Sequence, residues 1–304
     1  VIRFALRALF TCLVLASLSF AMAEALPGDA AMRVAVARYD AEAATPETAA
    51  QVRAELGLDR PAATRLLAWL AALAQGEFGR SMVSSVPVVE AVATPVARSV
   101  ALVAGAWPVT LLVGLLLGVA LSRSRAGLAL AQALGALAAG TPSYVLGLLL
   151  GLALAIQLHL LPVAGHGTPA HLVLPALTLG LLGGMRLALV TAAACAAAAA
   201  HPSVAFARMK GHAEPAVLAG HVLPLAAAPV LGFAFVGLAG LLEGAAVIET
   251  VFAYPGMGKQ LVDAVLARDV PVIQALALTI GLLVVTCNAL AETLAARLDP
   301  AAPR

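Results

Sequence analysis

Apolar residues fall in long, unbroken runs along this chain. Val100–Leu121, Leu128–Leu158 and Val270–Leu290 contain no charged residue. A helix rises 1.5 Å per residue, so roughly 20 apolar residues cross a ~30 Å hydrocarbon layer. The runs predict an all-α polytopic membrane protein with about six transmembrane helices, near 4–25, 99–121, 132–157, 171–193, 223–247 and 272–295. The first run opens with Arg3 and Arg7 and closes on Ala21-Met22-Ala23-Glu24, a pattern that also fits a secretory signal peptide.

Composition agrees with membrane residence. The chain is 62% hydrophobic and 11% charged, with a mean hydropathy of +1.00, whereas about a quarter of a soluble domain is charged. A net charge of +2 without a concentrated basic patch argues against a nucleic-acid partner. Cys12, Cys195 and Cys287 lie inside apolar segments with neither zinc nor disulfide spacing and read as small packing residues. Basic residues set the orientation. With the N-terminus cytoplasmic, the inner segments hold Arg3, Arg7, Arg123, Arg125, Arg208, Lys210, Arg297 and Arg304, while the outer segment 158–170 has no Lys or Arg. Six spans then leave both termini cytoplasmic.

Three polar regions break the pattern. Residues 26–98 form the one sizeable stretch outside the membrane. Leu26-Pro27-Gly28-Asp29 signals a turn, Thr45-Pro46-Glu47 a helix start running to Leu56 before Gly57, and Pro61–Leu73 a second helix. Residues 194–222 form the longest cytoplasmic loop, where Ser203 is placed to cap a short helix ending at Gly211. That helix sets Phe206 and Met209 beside Arg208 and Lys210, either as an amphipathic surface helix or as a docking peg. In 248–271, Pro255-Gly256 breaks the chain, a short helix is expected from Lys259 to Arg268, and Pro271 suits the first turn of the last span. This segment reads as a re-entrant or interfacial element at the outer mouth.

The last two regions carry a resemblance. Glu249-Thr250-Val251-Phe252, then Tyr254-Pro255-Gly256-Met257-Gly258 and Ala267-Arg268-Asp269-Val270-Pro271-Val272-Ile273-Gln274, resemble the inner-membrane permease subunits of bacterial ABC importers in the dipeptide/oligopeptide/nickel branch. Leu56-Gly57-Leu58-Asp59-Arg60-Pro61, Thr141-Pro142-Ser143, His171 to Pro175 and Leu298-Asp299-Pro300 extend it along the whole chain. The resemblance implies the type I importer permease fold: a first transmembrane helix at 1–25, a periplasmic helical cap at 26–98, and a core permease domain at 99–304 with five transmembrane helices. It implies a coupling loop at 194–222, with Ser203, Phe206, Ala207, Arg208, Met209, Lys210 and Gly211 facing an ATPase. It also implies an outer gate drawn from Glu249, Phe252, Tyr254, Pro255, Gly256 and Gly258. Ala205 stands where the family motif has glutamate, and Pro224-Leu225 where relatives have a basic residue and an asparagine. The implied machine is an ATP-driven importer of dipeptides or oligopeptides, or alternatively of nickel or a nickel–chelator complex. Its partners would be a second permease, two cytoplasmic ATP-binding subunits that hold ATP and Mg, and a periplasmic or lipid-anchored solute-binding protein.

The chain's own chemistry fits that division of labour. It has no Gly-x-x-x-x-Gly-Lys-Ser/Thr loop, and its only lysines, Lys210 and Lys259, follow no glycine-rich strand. No catalytic acid pair or nucleophile–base signature supports an intramembrane enzyme, and no internal repeat supports a self-contained secondary transporter. His159, His166 and His171 lack the register of a metal site. Ionisable groups within spans are costly and face protein or water. Glu243 is therefore a candidate pore residue, at a position where relatives commonly have glycine. Arg186, Asn288 and Glu292 are candidate interhelical polar contacts. Gly180, Gly183, Gly184, Gly237 and Gly240 predict small surfaces for close helix packing.

Overall fold

The computed structural model describes residues 2–25, 29–55 and 57–298. The turn expected at Leu26-Pro27-Gly28 and the Asp299-Pro300 pair lie outside the described residues. The helices are α1 (Ile2–Ala25), α2 (Ala30–Ala43), α3 (Pro46–Glu55), α4 (Ala62–Ala74), α5 (Val88–Leu121), α6 (Arg125–Gly140), α7 (Ser143–Leu150), α8 (Ala170–Ala199), α9 (Pro202–Met209), α10 (Glu214–Val217), α11 (Leu223–Val251), α12 (Met257–Leu266) and α13 (Val270–Leu298). Widened π turns extend α7 over Gly151–Gln157 and join α10 to α11 over Leu218–Val222. Among the described residues the only β pairing is an isolated bridge between Arg80 and Pro87.

Four helical stretches have the length and apolar character to cross a membrane: Val88–Leu121, Ala170–Ala199, Glu214–Val251 and Val270–Thr293. The third expected span departs from a straight helix. α6 and α7 meet at 99°, and counted as one bent span they make a fifth crossing. The bend sits at Thr141-Pro142. A residue before proline is pushed out of the helical region, and Thr141 takes φ −92 and ψ 118.

The chain divides into two compact units. In the first, comprising 1–98 and 256–285, α2 and α3 pair through Ala31, Val34, Ala35, Ala49 and Val52. Asp29 caps α2 by accepting from the Ala31 amide at 3.0 Å. Thr45 caps α3, its hydroxyl accepting from the Thr48 amide at 3.3 Å. Arg53 hydrogen-bonds Asp29 and thereby holds its carboxyl below the ordinary value of 3.8. α4 lies against α1, with the Phe20 and Trp69 rings 6.1 Å apart and Arg65 2.5 Å from Glu24. In the loop before α5, Ser81 donates to the buried Asp269, and the Met82 amide donates to the same carboxylate at 3.0 Å.

In the second unit, comprising 99–255 and 286–304, α8 is the central helix. α5 runs parallel to it at very short range. A methyl at Gly180 would lie 2.5 Å from Val109, and at Gly184 2.7 Å from Val113. In the reciprocal direction, a methyl at Gly114 would lie 2.5 Å from Leu187, and at Gly118 2.4 Å from Thr191 and 2.8 Å from the Ala188 carbonyl. The Thr110 hydroxyl donates across the seam to the Gly180 carbonyl at 3.3 Å. In lipid, apolar burial gives helices no preference for one another over the acyl chains, so small residues that let backbones approach supply the contact energy. α11 runs antiparallel to α8, bringing Gly244 to Leu179 and Val230 to Leu187. The Trp107 and Phe235 rings lie 5.3 Å apart, tilted by 42°. Gly237 and Gly240 differ from the expectation of close packing: nothing lies within 4 Å of where their methyls would stand.

Two outcomes follow. Gly118→Val should destabilise the purified protein by roughly 1–3 kcal/mol through overpacking, whereas Gly240→Ala should leave the unfolding midpoint in detergent near wild type. Asp29→Asn keeps the α2 cap acceptor and removes the charge facing Arg53. Because the folded carboxyl titrates below 3.8, its stabilisation is present above that pH and fades as pH falls through the lowered value. Amide exchange in α2 should therefore be faster in Asp29→Asn than in wild type at pH 7, and the two should converge well below pH 3.8.

Candidate functional site

Three groups of sequence-predicted residues occupy distinct places. The first is α9, between α8 and α11. Pro202 takes the first helical position, so the cap falls to His201, whose ring accepts from the Ser203 amide at 3.3 Å. Ser203 is therefore inside the helix rather than its cap, because proline's fixed φ suits the first turn. Val204 and Ala207 are buried against Cys195, Ala198, Val217, Val222 and Ala226. The opposite face exposes Phe206 (54%) and Met209 (78%). Arg208 holds Glu214 through two bonds of 2.8 and 3.3 Å, and the Lys210 ammonium sits 4.5 Å from the Phe206 ring centre. Gly211 ends the helix at φ +82, with open space where a side chain would project. The helix thus has a face fixed to the transmembrane bundle and an outward apolar face flanked by cations.

The second group is the turn after α11. Glu249 is fully buried and accepts a hydrogen bond from Ser99 at the other end of the sequence of the unit. A buried carboxylate in an apolar bundle needs such donors. Phe252 is buried, its ring 3.2 Å from where a Gly147 methyl would lie, and its carbonyl accepts from the Gly165 amide at 2.8 Å. The Tyr254 amide donates to the Glu249 carbonyl at 2.8 Å. The left-handed residue of this turn is Ala253, at φ 48. Gly256 is extended, at φ −94 and ψ −177, and precedes α12, which carries Gly258 in its first turn. Pro255 is half-buried between Tyr254 and Gly256.

The third group surrounds a cleft of about 470 Å³ in the second unit. Its walls are the α6–α7 bend at Gly140, Thr141, Pro142 and Ser143, the α8 residues Leu179, Leu182, Gly183, Arg186 and Leu187, the α11 face from Phe233 to Gly244, and Thr110 of α5. Arg186 and Glu243 both line it. Arg186 donates to the Ala138 carbonyl at 2.8 Å, satisfying one of the carbonyls left open at the end of α6. Asn288 and Glu292 are exposed on α13, one turn apart, away from this cleft. Among the described residues there is no group of three or more His, Cys, Asp or Glu that could hold a metal. His171 bonds Thr168 at 2.8 Å.

Sequence reasoning named Arg186 and Glu243 separately and did not join them. It missed Ser99 and Ser81 altogether. Isolated serines at the edge of apolar runs carry no signal until their carboxylate partners, Glu249 and Asp269, are seen beside them.

Long apolar helices, one broken at a proline beside a cleft with charged walls, define a membrane transport component. Non-helical backbone is tolerated at membrane depth only where protein or a watery cavity surrounds it. A family model described as the binding-protein-dependent transport system inner membrane component matches residues 110–303. The chain belongs to this family, whose members are non-catalytic transport components. It is 33% identical over 301 residues to a Brucella abortus protein that bears the name of a peptide transport system permease, covering 95% of this chain and 93% of that one. It is also 33% identical over 293 residues to the glutathione transport system permease protein of Salmonella typhimurium, covering 96% of this chain and 94% of that one.

Ser99→Ala should lower stability by about 1–3 kcal/mol, the cost of removing a donor from a buried charged acceptor. Thermal unfolding of the purified chain in detergent checks this, with Ser84→Ala, on the exposed loop, as the reference substitution.

Proposed function

We propose that this chain forms half of the translocation pathway of an ATP-driven, binding-protein-dependent importer of short peptides. The observation that carries the reading is the identity, over nearly the whole of both chains, to permeases named for peptide and glutathione transport. A second permease completes the pathway, two cytoplasmic ATP-binding subunits bind ATP and Mg, and a periplasmic or lipid-anchored protein delivers the solute.

We take six crossings, with both termini cytoplasmic by the placement of the basic residues. α5 and α8 run parallel, so if both span the bilayer the chain between them must cross back, which supports taking α6 and α7 as one broken span. α1 is 24 residues long with its apolar stretch at Leu6–Met22, at the short end of what crosses a bilayer, and taking it as a span gives the sixth crossing. On this reading residues 1–25 are the first transmembrane helix, 26–98 a periplasmic cap, and 99–304 the core permease domain. Coupling falls to Ser203–Gly211, and the outer gate to Glu249, Phe252, Tyr254, Pro255, Gly256 and Gly258. The two faces of α9 support the coupling role. Exposed Phe206 and Met209 offer apolar contact to a groove, and buried Val204 and Ala207 pass its displacement to α8 and α11.

The test of function is uptake of a labelled tripeptide into proteoliposomes holding the complete importer. Uptake should require both ATP and the binding protein, and ATP-dependent transport of some other solute with no peptide uptake would overturn the reading. For topology, in a background lacking Cys12, Cys195 and Cys287, Thr45→Cys should react with an impermeant thiol reagent from outside and Ser203→Cys only after the membrane is opened. Phe206→Ala combined with Met209→Ala should change stability by no more than about 0.5 kcal/mol, as exposed substitutions do. The same pair should sharply reduce co-purification of the ATP-binding subunits.

A further inference from the structure

The cleft of the second unit holds two opposite charges that do not meet. Arg186 reaches it from α8 and Glu243 from α11. A guanidinium carries five N–H donors, and Arg186 uses one, on the Ala138 carbonyl. Among the described residues Arg186 forms no ion pair, and Glu243 forms neither an ion pair nor a hydrogen bond. Gly237 and Gly240, on the α11 wall of the cleft, have nothing within 4 Å of where a methyl would stand and leave that wall open. Ionised groups on spanning helices are expensive and mark polar pathways, and two of opposite sign that line one cavity without pairing can each take the complementary charge from a ligand.

From this arrangement we infer that the cleft reads the two charged ends of a short zwitterionic peptide: the free donors of Arg186 take the terminal carboxylate, and the Glu243 carboxylate takes the terminal ammonium. The inference rests on the peptide-importer reading above and adds a permease site that selects for free termini. Arg186 suits a carboxylate because its planar donors match both oxygens at once. Glu243 suits an ammonium as an acceptor-only group one helical turn from Gly240, where nothing lies within 4 Å of a methyl's place and a main chain has room to approach. A cleft of about 470 Å³ is within the range that holds small ligands. A peptide blocked at both ends would leave both charges uncompensated and should be held weakly.

The test is peptide binding to the purified complete importer, with the binding protein omitted, followed by saturation-transfer NMR. The probes are trialanine, trialanine amide, which lacks the terminal carboxylate, and N-acetyl-trialanine amide, which lacks both charges. Wild type should bind trialanine more tightly than the blocked peptide. Glu243→Gln should weaken trialanine by about tenfold, the scale of one hydrogen bond to a charged group, and leave the blocked peptide unchanged. Glu243→Asp should recover most of the loss. Because Arg186 also closes the end of α6, Arg186→Lys, which keeps charge and a donor, is its informative variant. It should weaken trialanine and leave trialanine amide unchanged. Equal binding of trialanine by wild type and Glu243→Gln, or equal loss of both peptides, would overturn the inference while tripeptide uptake by the wild-type importer left the functional reading standing. Absence of peptide uptake by the wild-type importer would overturn both.

Discussion

The close approach of α5 and α8 is the constraint on which the second unit depends. At Gly114, Gly118, Gly180 and Gly184 the two backbones come nearer than any side chain allows. Dispersion between atoms in direct contact is what holds helices together when the surrounding solvent is itself apolar. Each contact seats a side chain of the facing helix, Val109, Val113, Leu187 or Thr191, against a glycine, and four such seats in succession fix the register of the two helices. α8 is thereby fixed on one face and can present its others to α6, at Gly135 against Leu189, and to α11.

That fixed helix makes the break at Thr141-Pro142 tolerable. Breaking a helix inside lipid frees carbonyls that have no water to bond. Here Arg186, projecting from α8, answers one of them. The same residue gives the cleft its positive charge. Structural repair and wall chemistry are thus joined in one side chain, and the position of that side chain follows from the register of the seam.

Much of this was legible in the sequence, for reasons that differ by element. The long helices follow from apolar run length. α3, α4, α9 and α12 follow from caps, prolines and glycine stops such as Thr45-Pro46, Pro61 and Gly211. α2 went unread because its apolar face is made of alanine and valine, with its cap, Asp29, hidden in a turn signal. The bend at Thr141-Pro142 was hidden because apolar content is the same on both sides of it. The cap of α9 went to Ser203 by residue type and to His201 by the demand of Pro202. The strained residue near Pro255-Gly256 is Ala253, since composition marks where a chain turns and only the backbone path marks which residue bears the turn. The pairs Ser99–Glu249 and Ser81–Asp269 join residues 150 and 188 positions apart, a separation no local pattern encodes.

The glycines of this protein obey two opposite rules. Those of the seam admit no larger residue without prying the bundle apart. Gly237 and Gly240 look identical in sequence, yet a methyl added there would enter vacant volume on the cleft wall with nothing within 4 Å. Mutational drift can therefore reshape the cleft one methyl at a time while the architecture around it stays frozen. A lineage carrying this bundle can diversify what its cleft accommodates without first surviving an unstable intermediate.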